Sequence, residues 1–186
     1  MASQTAARLT WTDYLGLPDD GRHYELIDGE LIVNPAPAPR HQRIVRTFIT
    51  RLDRYFEEHG GGEVIGSPID VVLGSDTVVE PDVIVILTDR AAIVGAKNVQ
   101  GAPNIVVEVL SEGTRRRDEV VKRRQYEQSG VDEYWIADPD ADLVKLYRRA
   151  GELLTLAAEV SADRGEAVTS PLLPGFSLDV RSIFVE

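Results

Sequence analysis

The chain has 186 residues, of which 43% are hydrophobic and 27% charged, and it contains no cysteine. These fractions are ordinary for a globular domain, and the missing cysteines exclude disulfides, thiolate metal sites and a cysteine nucleophile. The net charge of −11 argues against broad non-specific nucleic-acid binding, but it is compatible with a local basic groove.

The length predicts one domain that covers residues 1–186, with a small polar segment, residues 1–8, that we expect to be flexible. No run of 18 apolar residues is present, so we expect no membrane span. The N-terminal segment lacks the apolar core of a secretion signal. Together with the absence of cysteine, this leads us to expect a cytoplasmic protein.

The first third of the chain predicts a short helix, a hairpin and a long helix. Residues 10–17 are typical of a helix that ends at Gly16 and Pro18. Asp28-Gly29 separates two alternating runs, which is a strong signal for a two-residue β-hairpin. After the proline-rich loop NPAPAPRH, apolar residues at helical spacing predict a helix from residue 41, which the glycines 60–62 end.

The remainder of the chain predicts mainly strands. The predicted strands are EVIGSPIDVVL, TVVEPDVIVIL, NIVVEVL, DEYWIADP and DADLVKLYRR. A loop is expected over residues 88–103, a helix over 114–129 that stops at Gly130, and weaker strands plus a turn SPLLPG in residues 151–186. This order predicts an α/β (α+β) fold with a mixed β-sheet flanked by helices.

Two acidic residues lie inside apolar strands. Strand alternation groups Asp82 with the aliphatic residues of TVVEPDVIVIL and Glu108 with those of NIVVEVL. If the two strands are neighbours, the carboxylates face each other across about 5 Å, and two bare anions at that distance do not both stay ionised. A divalent cation resolves this conflict, and the few oxygen ligands describe a Mg²⁺ site. The alternatives are a solvated strand end or pairing with an arginine.

Two more acids are weaker candidates. Asp70, in SPIDVVL, is a third acid on a neighbouring strand, and we expect that it is not a ligand. Glu80 lies two residues before Asp82, and we expect it at the rim of the site.

The helix that follows Glu108 is basic. One interpretation is a solvated face with an Asp118–Lys122 pair at i, i+4. The second interpretation is that the helix takes part in the site. The helix begins only about six residues after Glu108, so it must pack near the end of that strand, with one face toward the carboxylates. Lys122 then reaches the metal site and stabilises charge on a phosphate or orients water. The arginines of the helix, Arg115, Arg116 and Arg117, then hold a nucleic-acid backbone.

These motifs resemble a known superfamily. Pro81-Asp82 followed by Glu108 on the next strand is similar to the core of the PD-(D/E)XK nucleases. That pattern has a lysine two residues after the glutamate, where this chain has Leu110, and Lys122 is the natural substitute. The series YELIDGEL, EPDVIVI, APNIVVEVLS and GVDEYWIADP, over about residues 10–147, resembles the Uma-type family of bacterial proteins described as restriction endonucleases. Glu80, where glutamine is common, and SEGT, where SPST is usual, depart from the family pattern.

The resemblance implies a restriction-endonuclease-like fold and a metal-dependent phosphodiesterase site. Asp82 and Glu108 would then bind Mg²⁺ or Mn²⁺, and Lys122 would assist the attacking water. Glu25 and His41 match family positions near the site. Glu25 and Asp118 would hydrogen-bond to the groups that bind the metal. His41 would bind phosphate or carry a proton, or else it would be only a residue of the helix N-terminus without a role in the site.

Several functions follow from this interpretation. The first is a Mg²⁺-dependent DNA endonuclease, for which a homodimer would cut both strands. The second is a catalytically inactive nuclease-fold domain that binds nucleic acid or protein, which the acidic charge favours. A nuclease acting on RNA is a third. The chain has no Gly-rich phosphate loop, G-x-S-x-G or H-E-x-x-H motif, and its aromatic content of 6% disfavours a glycosidase.

Overall fold

The computed structural model describes residues 8–185. Of the segment expected to be flexible, residues 1–7 lie outside the described residues. The helices are α1 (Trp11–Tyr14), α2 (Pro39–His59) and α3 (Arg123–Ser129), and a π-helical turn, Arg117–Lys122, leads directly into α3. In this part of the chain no helix combines the length and apolar character needed to cross a membrane.

The strands form two larger sheets and a ribbon. Their bounds are β1 (His23–Ile27), β2 (Glu30–Asn34), β3 (Gly62–Gly66), β4 (Val71–Gly74), β5 (Thr77–Val79), β6 (Val83–Leu87), β7 (Val99–Gln100), β8 (Ile105–Val109), β9 (Glu133–Asp138), β10 (Leu143–Ala150), β11 (Leu153–Ser161), β12 (Ala167–Ser170) and β13 (Leu173–Asp179). A six-stranded sheet has the order β11-β10-β9-β8-β6-β3, and a five-stranded sheet has the order β2-β1-β5-β4-β7. In the larger sheet β8 and β9 are parallel and the other pairs are antiparallel. The predicted mixed α+β architecture is therefore confirmed.

Both faces of the six-stranded sheet are buried. Successive side chains along its strands point to opposite faces, and each face packs into its own apolar cluster. Val83 and Val85 pack with α2 and with the β12–β13 ribbon. Ile84 and Ile86 face the other cluster, which contains residues of the five-stranded sheet and of α3. Glu108 has the same parity in β8 as residues of this second cluster. The sheet thus places its acidic residue on the side of β1 and α3.

Local sequence explains the elements that approach the site. The Asp28-Gly29 turn has positive φ at both residues, 51° and 77°, as a two-residue hairpin of the predicted kind requires. In α2, apolar residues at i, i+3 and i+4 spacing are buried against the larger sheet. Gly60 ends α2 with φ 67°, a conformation that suits glycine.

Two of the predicted strands are wrong in extent. EVIGSPIDVVL is divided into β3 and β4, and TVVEPDVIVIL into β5 and β6, and in both cases the halves belong to different sheets. Pro68 and Pro81 lie in the two breaks, and proline has no N–H to donate to a β ladder. Residues 80–82 are therefore outside a strand, so the continuous strand face predicted from residue 78 to 86 does not exist.

Other expectations need smaller corrections. The loop predicted over residues 88–103 contains a 3₁₀ turn, Thr88–Ile93, and the short strand β7. The helix predicted over 114–129 is present and ends at Gly130, but its first half is π-helical. In the tail, the predicted SPLLPG turn is too long, since residues 173–175 belong to β13.

Candidate active site

A cavity of about 490 Å³ opens between the two larger sheets, the start of α2 and the π-helical turn. Its walls include the proline-rich loop 34–38 and the segment 111–114. The ionisable side chains that line it are His23, His41, Glu80, Asp82, Glu108, Glu112, Arg117, Asp118 and Lys122. Most of the residues predicted to form the site therefore share one cavity.

Asp82 and Glu108 meet because β6 and β8 are adjacent and antiparallel. The register pairs Val83 with Val107, which sets Asp82, immediately before β6, opposite Glu108. The backbone N–H of Val109 donates to Asp82 Oδ2 over 2.8 Å and fixes this carboxylate at the end of the strand. The juxtaposition predicted from sequence is present, although Asp82 precedes its strand rather than lying within it.

Lys122 lies at the centre of a buried charge cluster. Its Nζ is 2.7 Å from Glu25 Oε1, 2.9 Å from Glu108 Oε1 and 3.7 Å from Asp118 Oδ1. All four residues are buried, and Lys122 is only 3% exposed. The Tyr126 hydroxyl also donates to Glu108 Oε1, over 2.7 Å. Lysine from the helix thus reaches the strand glutamate, as predicted.

The π-helical turn presents these groups to the sheet. Asp118 and Lys122 are its buried residues, and the buried face continues in α3 with Gln125 and Tyr126. Single π turns inside α-helices are rare and often occur at functional sites. Here the widened turn buries a carboxylate and an ammonium beside Glu108.

The burial of this cluster changes its titration. Burial raises the pKa of Glu108 to about 8, against the opposing attraction of Lys122, and Asp118 and Asp82 raise it further. Burial alone would lower the pKa of Lys122, but Glu108 and Glu25 raise it above its ordinary value. Burial also raises the pKa of Asp118. The cluster therefore favours the charged form of Lys122, while burial disfavours ionisation of Glu108.

The cluster has more negative than positive groups. Among residues 8–185, these acids, Glu25, Asp82, Glu108 and Asp118, face three basic side chains: Lys122, Arg117 at 3.7 Å from Glu25 Oε2, and His41 beside Asp82. Glu25 Oε2 and Asp118 Oδ1 are buried without a hydrogen-bond partner. A cation in the cavity would balance this excess, as the pairing of two carboxylates requires.

The free oxygens suit a hard divalent cation. Asp82 and Glu108 each use one oxygen in the hydrogen bonds to Val109, Lys122 and Tyr126. Among residues 8–185, Asp82 Oδ1 and Glu108 Oε2 have no hydrogen-bond partner, and both residues line the cavity. No cluster of three or more His, Asp or Glu side chains in this range forms a complete metal cage. Two carboxylates with further positions for water and substrate are the ligand set that Mg²⁺ commonly accepts.

His41 belongs to the site rather than only to the helix start. It lies in the first turn of α2, and its Nε2 is 3.2 Å from Asp82 Oδ2. Burial acts to lower the pKa of His41, but the hydrogen bond and charge of Asp82 more than offset this and raise it. Its Nδ1 is buried without a partner among the described residues. His41 therefore helps Val109 to orient Asp82.

The three arginines predicted to bind a backbone are not brought together. Arg115 forms a two-pronged ion pair with Asp138, at 2.6 and 2.9 Å, and also contacts Asp140. Arg117 donates to Asn34 Oδ1 over 2.7 Å and lines the cavity, and Arg116 is exposed. Arg115 is thus a bridge to the end of β9 rather than a free phosphate ligand.

The remaining acids lie as expected. Asp70 accepts a hydrogen bond from the Tyr14 hydroxyl over 2.8 Å and is not part of the cavity wall. Glu80 lies on the cavity wall and pairs with His23 at 3.3 Å. Glu25 holds Lys122 and also accepts the Glu80 N–H, over 2.9 Å.

Tyr126 was not among the residues predicted for the site, although it lies four residues after Lys122. That spacing, continued from Asp118 through Lys122 to Tyr126, is the signal that could have identified it. Asn34, which anchors Arg117, gave no such signal because it ends a strand in a different sheet.

A mixed sheet flanked by helices, with one acid in a strand, a second acid just before the neighbouring strand and a buried lysine beside them, defines a restriction-endonuclease-like nuclease fold. The Uma2 family, described as "putative restriction endonuclease", matches residues 11–181. The chain belongs to this family.

A solved structure and a search of curated proteins complete the comparison. The structure is titled as a "putative nuclease belonging to DUF820" from Anabaena variabilis, and it superposes with a TM-score of 0.80 at 19% sequence identity. The match covers 95% of this chain and 97% of the other, which shows a shared fold over nearly the whole length. No curated protein matches the chain.

Proposed function

We propose that the protein is a metal-dependent endonuclease that hydrolyses phosphodiester bonds of DNA, with Mg²⁺ or Mn²⁺ as its cofactor. The observation that carries the proposal is the pair Asp82 and Glu108, each with one unbonded oxygen in the same cavity and with Lys122 held 2.9 Å from Glu108. Membership of a family described as restriction endonucleases supports a nucleic-acid substrate.

The residues of the cavity have separable roles in this proposal. Asp82 and Glu108 would hold the cation, and a cation there would activate water and neutralise charge on the phosphate. Val109 and His41 orient Asp82, while Lys122 and Tyr126 orient Glu108. The fixed ammonium of Lys122 stabilises negative charge as it develops on the phosphate oxygens. Glu25 and Asp118 position that ammonium.

One observation favours a second function, a nuclease-fold domain that binds nucleic acid or protein without cleaving it. Lys122 is already surrounded by Glu25, Glu108 and Asp118, so its ammonium has little freedom to contact a substrate. In that case the cluster would serve stability alone. Cleavage measured with matched variants separates the two functions.

The test is cleavage of supercoiled plasmid and of single-stranded DNA with Mg²⁺, Mn²⁺ or EDTA. Glu108→Gln and Lys122→Met keep the side-chain size, and Glu63→Gln, an exposed carboxylate on β3, serves as the control. We expect metal-dependent cleavage that both buried variants lose by at least about 100-fold, the usual effect of removing one electrostatic group from a site. Cleavage that persists in both variants, or none in the wild type, would favour the binding function.

The products also test the proposed homodimer. One site per chain makes a single nick, and two sites related by a two-fold axis cut both strands. We propose that linear plasmid appears without accumulation of nicked circles, and that light scattering gives the mass of a dimer. Nicked circles from a monomeric protein would contradict the dimer while leaving the nuclease activity intact.

A further inference from the structure

Helix α2 is unusually basic for a chain with a net charge of −11. It contains five of the 20 Lys and Arg residues of the chain. Between residues 39 and 52 it has four arginines and no aspartate or glutamate. The five arginines are Arg40, Arg43, Arg46, Arg51 and Arg54.

The arginines lie on the side of α2 that faces solvent. The buried residues of this helix define the opposite side, and at 3.6 residues per turn all five arginines fall within an arc of about 140°. Arg40 pairs with Asp142, and Arg54 pairs with Glu58. Arg43, Arg46 and Arg51 are exposed, and their side chains make no ion pair or hydrogen bond with any residue in the range 8–185. We call these three residues the arginine face.

The arginine face is continuous with the cavity. The same helix begins at the cavity wall, where it contributes His41 and Gln42, and His41 contacts Asp82. At a rise of 1.5 Å per residue, Arg43 lies about 3 Å and Arg51 about 15 Å further along the helix than His41. Gln42 on the cavity wall and Arg46 are four residues apart and are neighbours on the helix surface, so the arginine face begins beside the cavity and continues along the solvent side of α2.

We propose that the arginine face binds the phosphate backbone of the DNA that is cleaved in the cavity. This inference rests on the proposed nuclease function and names the surface that supplies its affinity. The cavity wall has more acidic than basic side chains, so it attracts only the phosphate that a cation bridges. Guanidinium groups form two-pronged hydrogen bonds with phosphate and suit this role. The competing arginine, Arg115, is already bound to Asp138.

Two triple variants with the same charge change test the proposal. Arg43→Gln/Arg46→Gln/Arg51→Gln removes the arginine face. Arg8→Gln/Lys97→Gln/Arg124→Gln removes three exposed basic side chains from other parts of the chain that make no ion pair among the described residues. Binding to a labelled 20-base-pair duplex and to the matching single strand is measured by anisotropy at several salt concentrations, in EDTA and with Ca²⁺.

We expect the first triple variant to bind at least about tenfold more weakly and to lower the slope of log K against log salt by about two to three, since each phosphate contact contributes about 0.7 to 0.9. The control triple should change affinity less than about threefold, because it adds only long-range repulsion. A preference for duplex or single strand in the wild type identifies the form of DNA that the face accepts.

The outcomes separate this inference from the proposed function. Equal loss in both triple variants would show a net-charge effect and overturn the arginine face, and a larger loss in the control would place binding on another surface and overturn it as well. A plasmid-cleaving wild type whose arginine-face variant still binds normally would refute the inference alone. If the wild type binds DNA through the arginine face but cleaves no plasmid, the nuclease activity alone is refuted. If the wild type binds neither the duplex nor the single strand, the inference about the arginine face is overturned.

Discussion

At the residue scale, the site is built around one lysine that is shared by three carboxylates. Glu25 comes from β1, Glu108 from β8 and Asp118 from the π-helical turn, so Lys122 connects three elements. A buried charge whose partner is removed is costly, because the remaining charge has neither water nor a counter-ion. Lys122 therefore has a structural role as well as its proposed catalytic one.

Replacing Lys122 with methionine tests the structural role. We expect Lys122→Met to lower the free energy of unfolding by about 3 kcal/mol, within the range seen when one member of a buried ion pair is removed. Urea denaturation in EDTA measures the change, and Lys97→Met, at an exposed lysine without an ion pair, is the matched control. A loss no larger than that of the control would show that the cluster does not depend on the ammonium.

The Arg115–Asp138 pair makes a separate prediction about pH. The hydrogen bonds from Arg115 lower the pKa of Asp138, against the opposing effect of burial. A carboxyl with a lowered folded-state pKa stabilises the protein above its unfolded pKa of about 3.9 and loses that contribution as pH falls through the folded value. We expect Asp138→Asn to be less stable than the wild type by about 1 to 3 kcal/mol at pH 7.

The two proteins should converge in stability as pH falls below the lowered folded-state pKa of Asp138, where its carboxyl is protonated. Urea denaturation at a series of pH values measures the difference. A gap between wild type and Asp138→Asn that stays constant from pH 7 to the acid range would show that the pair contributes no pH-dependent stability.

Site residues that are recognisable from their neighbours in sequence were predicted, and contacts between residues far apart in sequence were not. Asp82, Glu108 and Lys122 were predicted because an acid among aliphatic residues and a nearby basic helix are visible locally. The pairing of Arg115 with Asp138 was not predicted, because the partner lies 23 positions away and only the parallel pairing of β8 and β9 brings it near.

At the scale of elements, the π-helical turn determines which side chains enter the cavity. It accommodates one residue more than an α-helical turn, and exposed Val120 and Val121 lie in it. Periodicity predicted the helix but not this insertion, because the apolar pattern of a single widened turn differs little from that of an α-helix. Prolines 68 and 81 explain why two predicted strands became four.

Deleting Val121 tests the importance of this turn. Removal of one residue should close the π turn to an α-helical one, which leaves Asp118 only three residues before the lysine and shifts it along and around the helix axis relative to Lys122 and Tyr126. We expect far-ultraviolet circular dichroism to retain its helical signal while plasmid cleavage is lost. Val121→Ala, which keeps the chain length, is the control and should cleave normally. A deletion variant as active as the control would show that the π turn is not required.

At the scale of the whole molecule, the C-terminal segment completes the core behind the site. Phe176, Leu178 and Phe184 pack in the cluster that contains α2, and α2 carries both His41 and the arginine face. The apolar residues of this segment are visible in the sequence. The order of the sheets could not be predicted, since the pairing of β1 with β5, of β6 with β8 and of β8 with β9 depends on contacts that are distant in sequence.

Truncation of Phe176 distinguishes core packing from a dimer contact. We expect Phe176→Ala to cost about 3 to 4 kcal/mol of stability, as for other buried phenylalanines, and the loss should not change with protein concentration. Thermal denaturation over a hundredfold concentration range measures both. A midpoint that rises with concentration in the wild type but not in Phe176→Ala would instead assign this segment to a subunit interface.

The central claim is that Asp82 and Glu108 together hold one divalent cation in the cavity. Electron paramagnetic resonance of Mn²⁺ titrated into the protein counts bound ions directly and requires no substrate. We predict one Mn²⁺ bound per chain in the wild type and in Glu63→Gln, and none at the same concentrations in Asp82→Asn or in Glu108→Gln. Binding that is unchanged in both site variants would contradict the metal site, and with it the mechanism proposed for cleavage.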